Sequence, residues 1–223
     1  MSTLYIVATP IGNLEDITLR ALRILKEADI VFAEDTRVTK KLLQHYNIQK
    51  PLLRYDEHSA ERMHDKAAQF LSHGKTIALV SDAGTPCISD PGSRLVRYVR
   101  DHAPDVSVVP IPGPSALTAA LSAAGVPAST FVFLGYPPHK KGRKTFFEGL
   151  RAITIRPVLL YESPHRLQKT LGELALVLGA DASLVIAKEL TKIHEEVWWG
   201  TFAEAATRYT GEKGRGEFVL IIL

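Results

Sequence analysis

Three stretches of this sequence concentrate glycine, proline, serine and aspartate more than a simple reversal of the chain requires. They are Pro10-Ile11-Gly12-Asn13, Asp82-Ala83-Gly84-Thr85-Pro86 and Pro112-Gly113-Pro114-Ser115-Ala116. The second runs straight into Ser89-Asp90-Pro91-Gly92, so residues 82–92 hold two prolines, two glycines and two aspartates. Small side chains let a ligand approach the main chain, and an aspartate accepts hydrogen bonds from a ribose or an ammonium. Each loop alone reads as a tight turn capping a helix; three at matched strand ends read as a binding site. A second chemistry is carried by charge. After Glu34-Asp35-Thr36, residues Arg37, Lys40, Lys41 and Gln44 recur at i, i+3, i+4 and i+7, a polar helix face opposite Val38 and Leu42. Such a stripe either tracks a phosphate backbone or is simply solvated. His139-Lys140-Lys141-Gly142-Arg143-Lys144 places four cations in five positions with no balancing acid nearby, a usual way to grip nucleic-acid phosphates. In Tyr161-Glu162-Ser163-Pro164-His165-Arg166, Ser163 reads as a helix cap and Pro164 as a first-turn residue. That leaves Tyr161, Glu162, His165 and Arg166 to be explained. Lys188-Glu189-Leu190-Thr191-Lys192 and Glu195-Glu196 are also dense in charge, with mutual ion pairing as the plain alternative.

These residues need elements to position them. Apolar runs at 4–8, 30–33, 51–55, 76–80 and 106–109 read as strands. Helical spacing fills the intervals, with Ile17, Ala21, Leu22, Leu25 and Ala28 as the first example and Asp16 as its expected cap. Strand and helix alternating through short links predicts a mostly parallel sheet covered on both faces. Three prolines at 110–114 should interrupt any strand or helix, which puts a domain boundary between residues 112 and 113. Beyond it, strands are expected at 131–134, 158–161, 184–187, 195–200 and 218–223, and Leu167, Leu171, Leu174 and Leu178 form a helical stripe. Late strands with few helices between them predict a mixed sheet.

Composition narrows the classes. The chain has 223 residues, 27 Lys plus Arg against 24 Asp plus Glu, and 46% hydrophobic residues, which is ordinary globular protein rather than a disordered or collagenous one. No apolar run reaches a membrane span, the first residues do not read as a signal peptide, and the single cysteine, Cys87, suits the cytoplasm. A phosphate loop, the three-glycine dinucleotide fingerprint and a nucleophile elbow are each approached and each fail. The eight histidines do not fall at metal-ligand spacing, so no metal site is expected.

Taken together the motifs resemble the ribosomal small-subunit RNA 2′-O-methyltransferase I family. The resemblance rests on Thr9 to Leu14, Glu34 to Arg37, Ser81 to Gly92, Pro112 to Ala116, Tyr161 to Arg166, Glu189 to Lys192 and Gly216 to Val219. It implies the two-domain tetrapyrrole-methylase fold, with a homodimer and S-adenosylmethionine held in the cleft between domains. The implied reaction is methylation of the ribose 2′-hydroxyl of a cytidine in the decoding centre of 16S ribosomal RNA. Carried over position by position, the cofactor contacts would be Pro10, Ile11, Gly12, Asp82, Ala83, Gly84, Ile88, Ser115 and Ala116, with Tyr161 and Leu190 from the second domain. Longer members of that family continue past the position of Leu223.

Within that reaction Asp35 and Lys192 are the candidates to draw off the hydroxyl proton, Lys192 on condition that its pKa is lowered. Arg37, Lys40, Lys41, Lys140, Lys141, Arg143, Lys144 and Arg166 are the candidate RNA contacts. The small ribosomal subunit is the expected partner, and DNA, lacking the 2′-hydroxyl, is not. Two rivals stand beside this reading: a methylase of an anionic tetrapyrrole such as a precorrin, and a non-catalytic RNA-binding module with no affinity for the cofactor.

Overall fold

Successive side chains in a strand point to opposite faces, and in the first half of this chain both sets are apolar. The computed structural model describes residues 2–223 and divides into two compact units, Met1–Ser115 and Ala116–Leu223. In the first, strands β1 (Thr3–Val7), β2 (Ile30–Ala33), β3 (Leu52–Arg54), β4 (Thr76–Val80) and β5 (Ser107–Ile111) form a parallel sheet in the order β3-β2-β4-β1-β5. Val7, Val31, Ala33, Ala78 and Val80 face helices α1 (Leu19–Glu27) and α2 (Thr36–His45) through Ile24, Leu25, Leu42 and Leu43. Their neighbours Leu4, Ile6, Ile30, Phe32, Ile77 and Leu79 face α3 (Ala60–Ser72) and α4 (Gly92–His102) through Met63, Leu71, Leu95 and Val99. Each such side chain fully buried contributes about 1.5–3 kcal/mol, so the sheet is fixed from both sides.

The strand order has a functional consequence. From β1 to β2 to β3 the chain moves toward one edge; from β3 to β4 to β5 it moves back toward the other. Adjacent strands β2 and β4 therefore send their outgoing chains in opposite directions. A crevice opens beyond their carboxyl ends, where ligands of open α/β sheets bind.

Two local expectations are corrected. Thr18, not Asp16, caps α1 by accepting from the Ala21 N–H, while Asp16 lies in a short 3-10 turn capped by Asn13. Strand β5 continues through Pro110, paired with Ile6. An edge strand tolerates proline because one row of its main-chain groups has no ladder partner to lose.

The second unit begins with α5 (Ala116–Ala124) and adds β6 (Val132–Phe133), α6 (Arg143–Gly149), β7 (Val158–Glu162), α7 (Leu167–Leu178), β8 (Ser183–Lys188), β9 (Glu196–Thr201), α8 (Phe202–Arg208) and β10 (Phe218–Ile222). Its sheet, β6-β7-β10-β8-β9, is mixed: β6 and β7 are parallel and the remaining pairs antiparallel. Leu167, Leu171 and Leu174 of α7 pack on Leu160, Leu184, Ile186 and Leu220 in one core. Register then matters for chemistry. Glu162 pairs with Phe218, Phe218 with Lys188, and Lys188 with Glu196, so four charged motifs share one end of this sheet.

Candidate functional site

At the carboxyl end of the first sheet, hydrogen bonds tie four loops into one body. Thr9 and Gly84 exchange main-chain bonds of 2.9 and 3.0 Å, joining the loop after β1 to the loop after β4. The Thr9 hydroxyl donates to the Ser81 carbonyl, and the Thr85 hydroxyl to that of Pro114 at 3.1 Å, which brings in the loop after β5. The Asp35 N–H donates to Asp82 Oδ1 at 2.9 Å and so closes the β2–β4 crevice. Gly84 sits at φ +79°, and an added Cβ would meet Ile11 Cγ2 at 3.3 Å. Cys87 and Ser89 also hold left-handed backbone, φ 74° and 65°, a conformation that costs energy in non-glycine residues and clusters at functional loops. Of the expected cofactor contacts, Pro10, Ile11, Gly12, Asp82, Ala83, Gly84, Ile88 and Ser115 all lie on these joined loops. Gly12, Asp82, Ala83 and Ile88 are exposed, whereas Pro10, Ile11 and Gly84 are buried.

The carboxylates of this crevice are unlike one another. Asp35 caps α2 through the Arg37 N–H and grips the Arg37 guanidinium, which holds its carboxyl well below the usual carboxylate range. It is a helix cap and an ion-pair partner, a setting that favours the ionised form and disfavours the proton-accepting role expected of it. Glu34, half-buried beside it, moves the other way: burial first, then the negative charges of Asp82, Asp90 and Asp56, push its carboxyl up. Nothing in the sequence around Glu34 marks this shift, because the carboxylates that act on it come from two other loops, those after β3 and β4.

In the second unit, Tyr161 lies against Phe133 and Tyr136, with ring centroids 4.8 and 5.5 Å apart. Burial pushes its phenol up, and the Leu117 N–H works against that shift, so the start of α5 with Ala116 is beside it. Leu190 is buried in the turn after β8, between Glu189 and Thr191, both with positive φ. Lys192 bonds Glu189 Oε1 at 2.8 Å and Glu217 Oε2 at 3.0 Å. Burial alone would lower its pKa, but the two carboxylates outweigh burial and hold the ammonium above its ordinary value. Lys192 is thus held as a cation, a shift opposite in direction to the lowered pKa that a base at this position requires.

The cation-rich loop is corrected as well. Arg143 is 4% exposed, with Nη2 2.7 Å from Glu173 and further bonds to the Thr170 hydroxyl and the Pro138 carbonyl. Arg166 pairs with the fully buried Glu162 carboxylate at 2.8 Å and donates to the Pro137 carbonyl. Thr170 in turn donates to Glu162. One largely buried chain of five residues, Arg166–Glu162–Thr170–Arg143–Glu173, thus accounts for Glu162, Arg166 and Arg143, and the polar edges of both arginines are engaged within the protein. Ser163 does not cap α7, which starts at Leu167; its N–H is turned to Glu162 Oε1. Lys140, Lys141 and Lys144 remain exposed, Lys144 within 3.7 Å of Glu148.

Outside the motifs, a groove of about 720 Å³ lies along α2, lined by Thr36, Arg37, Lys40, Leu43, Gln44, Ile48, Gln49, Lys50 and Leu52. A second hollow of about 870 Å³ beside Trp198 and Arg208 is lined by none of the expected site residues. Among the described residues, no group of three or more His, Cys, Asp or Glu side chains could hold a metal ion. No helix there is long and apolar enough to cross a membrane.

A parallel α/β unit with a four-loop crevice, followed by a mixed-sheet unit, is the architecture of the tetrapyrrole methylases, and residues 3–206 match the family described as Tetrapyrrole (Corrin/Porphyrin) Methylases. A uroporphyrin-III C-methyl transferase from Thermus thermophilus, solved complexed with S-adenyl homocysteine, superposes with a TM-score of 0.66 at 19% identity, covering 98% of this chain and 96% of that one. Closer likeness is to proteins named ribosomal RNA small subunit methyltransferase I. That of Halalkalibacterium halodurans is 49% identical over 221 residues, 99% of this chain and 75% of its own. That of Thermotoga maritima is 43% identical over 222 residues, 100% of this chain and 98% of its own. The chain belongs to the ribosomal RNA small subunit methyltransferase I family.

Proposed function

We propose that this protein transfers a methyl group from S-adenosylmethionine to the ribose 2′-hydroxyl of a cytidine in the decoding centre of 16S ribosomal RNA. The observation that carries the reading is the crevice where β2 and β4 diverge, bounded by four mutually bonded loops, in a chain whose relatives are named for small-subunit RNA methylation. The donor set fits the cofactor. Gly12 and Ala83 leave main chain open to a ligand, while the exposed carboxylate of Asp82 suits a cation with an ammonium and ribose hydroxyls.

When bound, the cofactor supplies an already activated methyl group. The protein's own work is alignment and exclusion of water, worth roughly 7–11 kcal/mol at best when reacting atoms are held in line. Drawing off the hydroxyl proton adds about 10²–10⁴ in rate. Glu34 suits that role better than Asp35 or Lys192, because its carboxylate is the more basic one and is free of a cationic clamp. Exposed Lys140, Lys141 and Lys144 offer charge to the RNA backbone.

The test is methyl incorporation from labelled S-adenosylmethionine into small subunits that lack the modification, followed by mapping of the nucleotide. Product at a cytidine ribose, and none when that position is 2′-deoxy, is expected. Methylation of a precorrin but not of RNA would overturn the reading. In single-turnover assays Glu34→Gln should slow transfer at least tenfold with cofactor affinity retained; a wild-type rate removes Glu34 from proton transfer.

A further inference from the structure

The groove along α2 has no part in the crevice chemistry, and its walls are chemically one-sided. Arg37, Lys40 and Gln44 of α2 line it together with Gln49 and Lys50 from the segment that runs into edge strand β3. Leu43, Ile48 and Leu52 supply its apolar lining, the first two being almost fully buried, and no acidic residue lines the groove. Arg37 is held in place by Asp35, while Lys40 is exposed and Lys50 half-exposed. The volume of about 720 Å³ lies within the roughly 300–1,000 Å³ that accommodates a small organic group. A polyanion with hydrogen-bonding edges matches this lining: phosphates meet the cations and base edges the glutamine amides. The groove also begins at Thr36, the residue after the Asp35 that bonds Asp82, so it leads directly away from the crevice.

We propose that this groove binds the RNA substrate, taking at least one nucleotide and its flanking phosphates, with Lys40 and Lys50 as paired phosphate contacts. The proposal rests on RNA being the substrate, as argued above. It also withdraws Lys41 from the RNA contacts expected of the sequence: Lys41 follows Lys40 on α2 and is exposed, but it does not line the groove.

The test compares Lys40→Ala, Lys50→Ala and their double variant with Lys41→Ala, which removes the same charge one residue away. A fluorescent single-stranded RNA of the decoding-centre sequence is titrated by anisotropy at several salt concentrations, and methylation of small subunits is measured in parallel. Loss of two single-strand phosphate contacts should flatten the slope of log affinity against log salt by about 1.4, at about 0.7 each, and weaken binding on the order of tenfold. Lys41→Ala should stay within about twofold and keep its slope. Competition by millimolar CMP should be absent if the groove needs a strand, and its success would mean a site for free nucleotide. Equal affinities and slopes for the double and Lys41 variants would overturn the proposal. So would variants that lose subunit methylation while binding RNA normally, the pattern of an acidic protein partner. If the wild type methylates no RNA but still binds it through Lys40 and Lys50, the reading of the reaction fails and the groove stands.

Discussion

Replacing Arg143 by Met separates a structural cation from a nucleic-acid contact. Its guanidinium spends every polar edge inside the protein, with Nε and Nη2 on Glu173, Nη2 also on Thr170, and Nη1 on the Pro138 carbonyl. The group also lies over the Phe147 ring, 5.0 Å from its centroid. Removing one partner of a buried pair costs about 3–5 kcal/mol. Glu173 keeps 28% of its side chain in water, and Thr170 keeps Glu162 as an acceptor, so the lower end, about 3 kcal/mol, is expected. Both tryptophans, Trp198 and Trp199, lie in the second unit, so urea unfolding followed by their fluorescence reads the unit that holds Arg143. At a slope of about 2 kcal/mol per molar urea the midpoint should fall by about 1.5 M. Arg143→Lys should recover less than half, because an ammonium cannot reproduce the fork. Lys144→Ala, at an 88% exposed side chain, should change the midpoint by less than about 0.3 M, since exposed pairs contribute little. The reasoning is refuted if Arg143→Met unfolds like the parent while its RNA affinity becomes less salt-dependent, the signature of a surface phosphate contact.

Other outcomes follow from the crevice and the second sheet. Gly84→Ala should lower cofactor affinity at least tenfold by calorimetry, because φ +79° and Ile11 at 3.3 Å force the Thr9–Gly84 bridge to shift; unchanged affinity would detach that bridge from binding. Glu34 has a folded-state pKa above its unfolded value, so the folded protein holds the proton more tightly. Its contribution is complete below the unfolded value, and stability falls as pH rises through the folded one. Glu34→Gln should therefore lose less stability than the parent between about pH 4.5 and neutrality in denaturant titrations across pH. Lys192 stays charged across the neutral range, so Lys192→Met should lower methyl transfer without removing a limb from the pH–rate profile between pH 6 and 9; loss of a limb would restore it as a base.

The alternation in β2 and β4 made the parallel unit legible in the sequence, since Ile30-Val31-Phe32-Ala33 and Ile77-Ala78-Leu79-Val80 are apolar on both faces. Loops at strand ends were legible for the same reason: glycine and proline punctuate where the ladders stop. What stayed hidden was long-range. Arg143 reads as one more exposed cation beside Lys140, Lys141 and Lys144, because Thr170 and Glu173 that bury it lie 27 and 30 residues on. Pro110 reads as a strand breaker until β5 is known to be an edge. Lys50 carries no signal at all, since only the turn after α2 brings it into the same groove as Lys40.

The two arginines that hold Pro137 and Pro138 bear on how quickly the neighbouring lysines could make the RNA contacts proposed for them. Residues 139–142 hang between carbonyls clamped at one end and a buried guanidinium at the other. Fixing one residue's backbone costs about 1–2 kcal/mol, so an untethered segment of that length would surrender roughly 4–8 kcal/mol on meeting a ligand. Here that ordering is done when the protein folds. Lys140 and Lys141 then give up only side-chain freedom on contact, and a collision with a phosphate strand can become a productive encounter without waiting for the loop to find its shape.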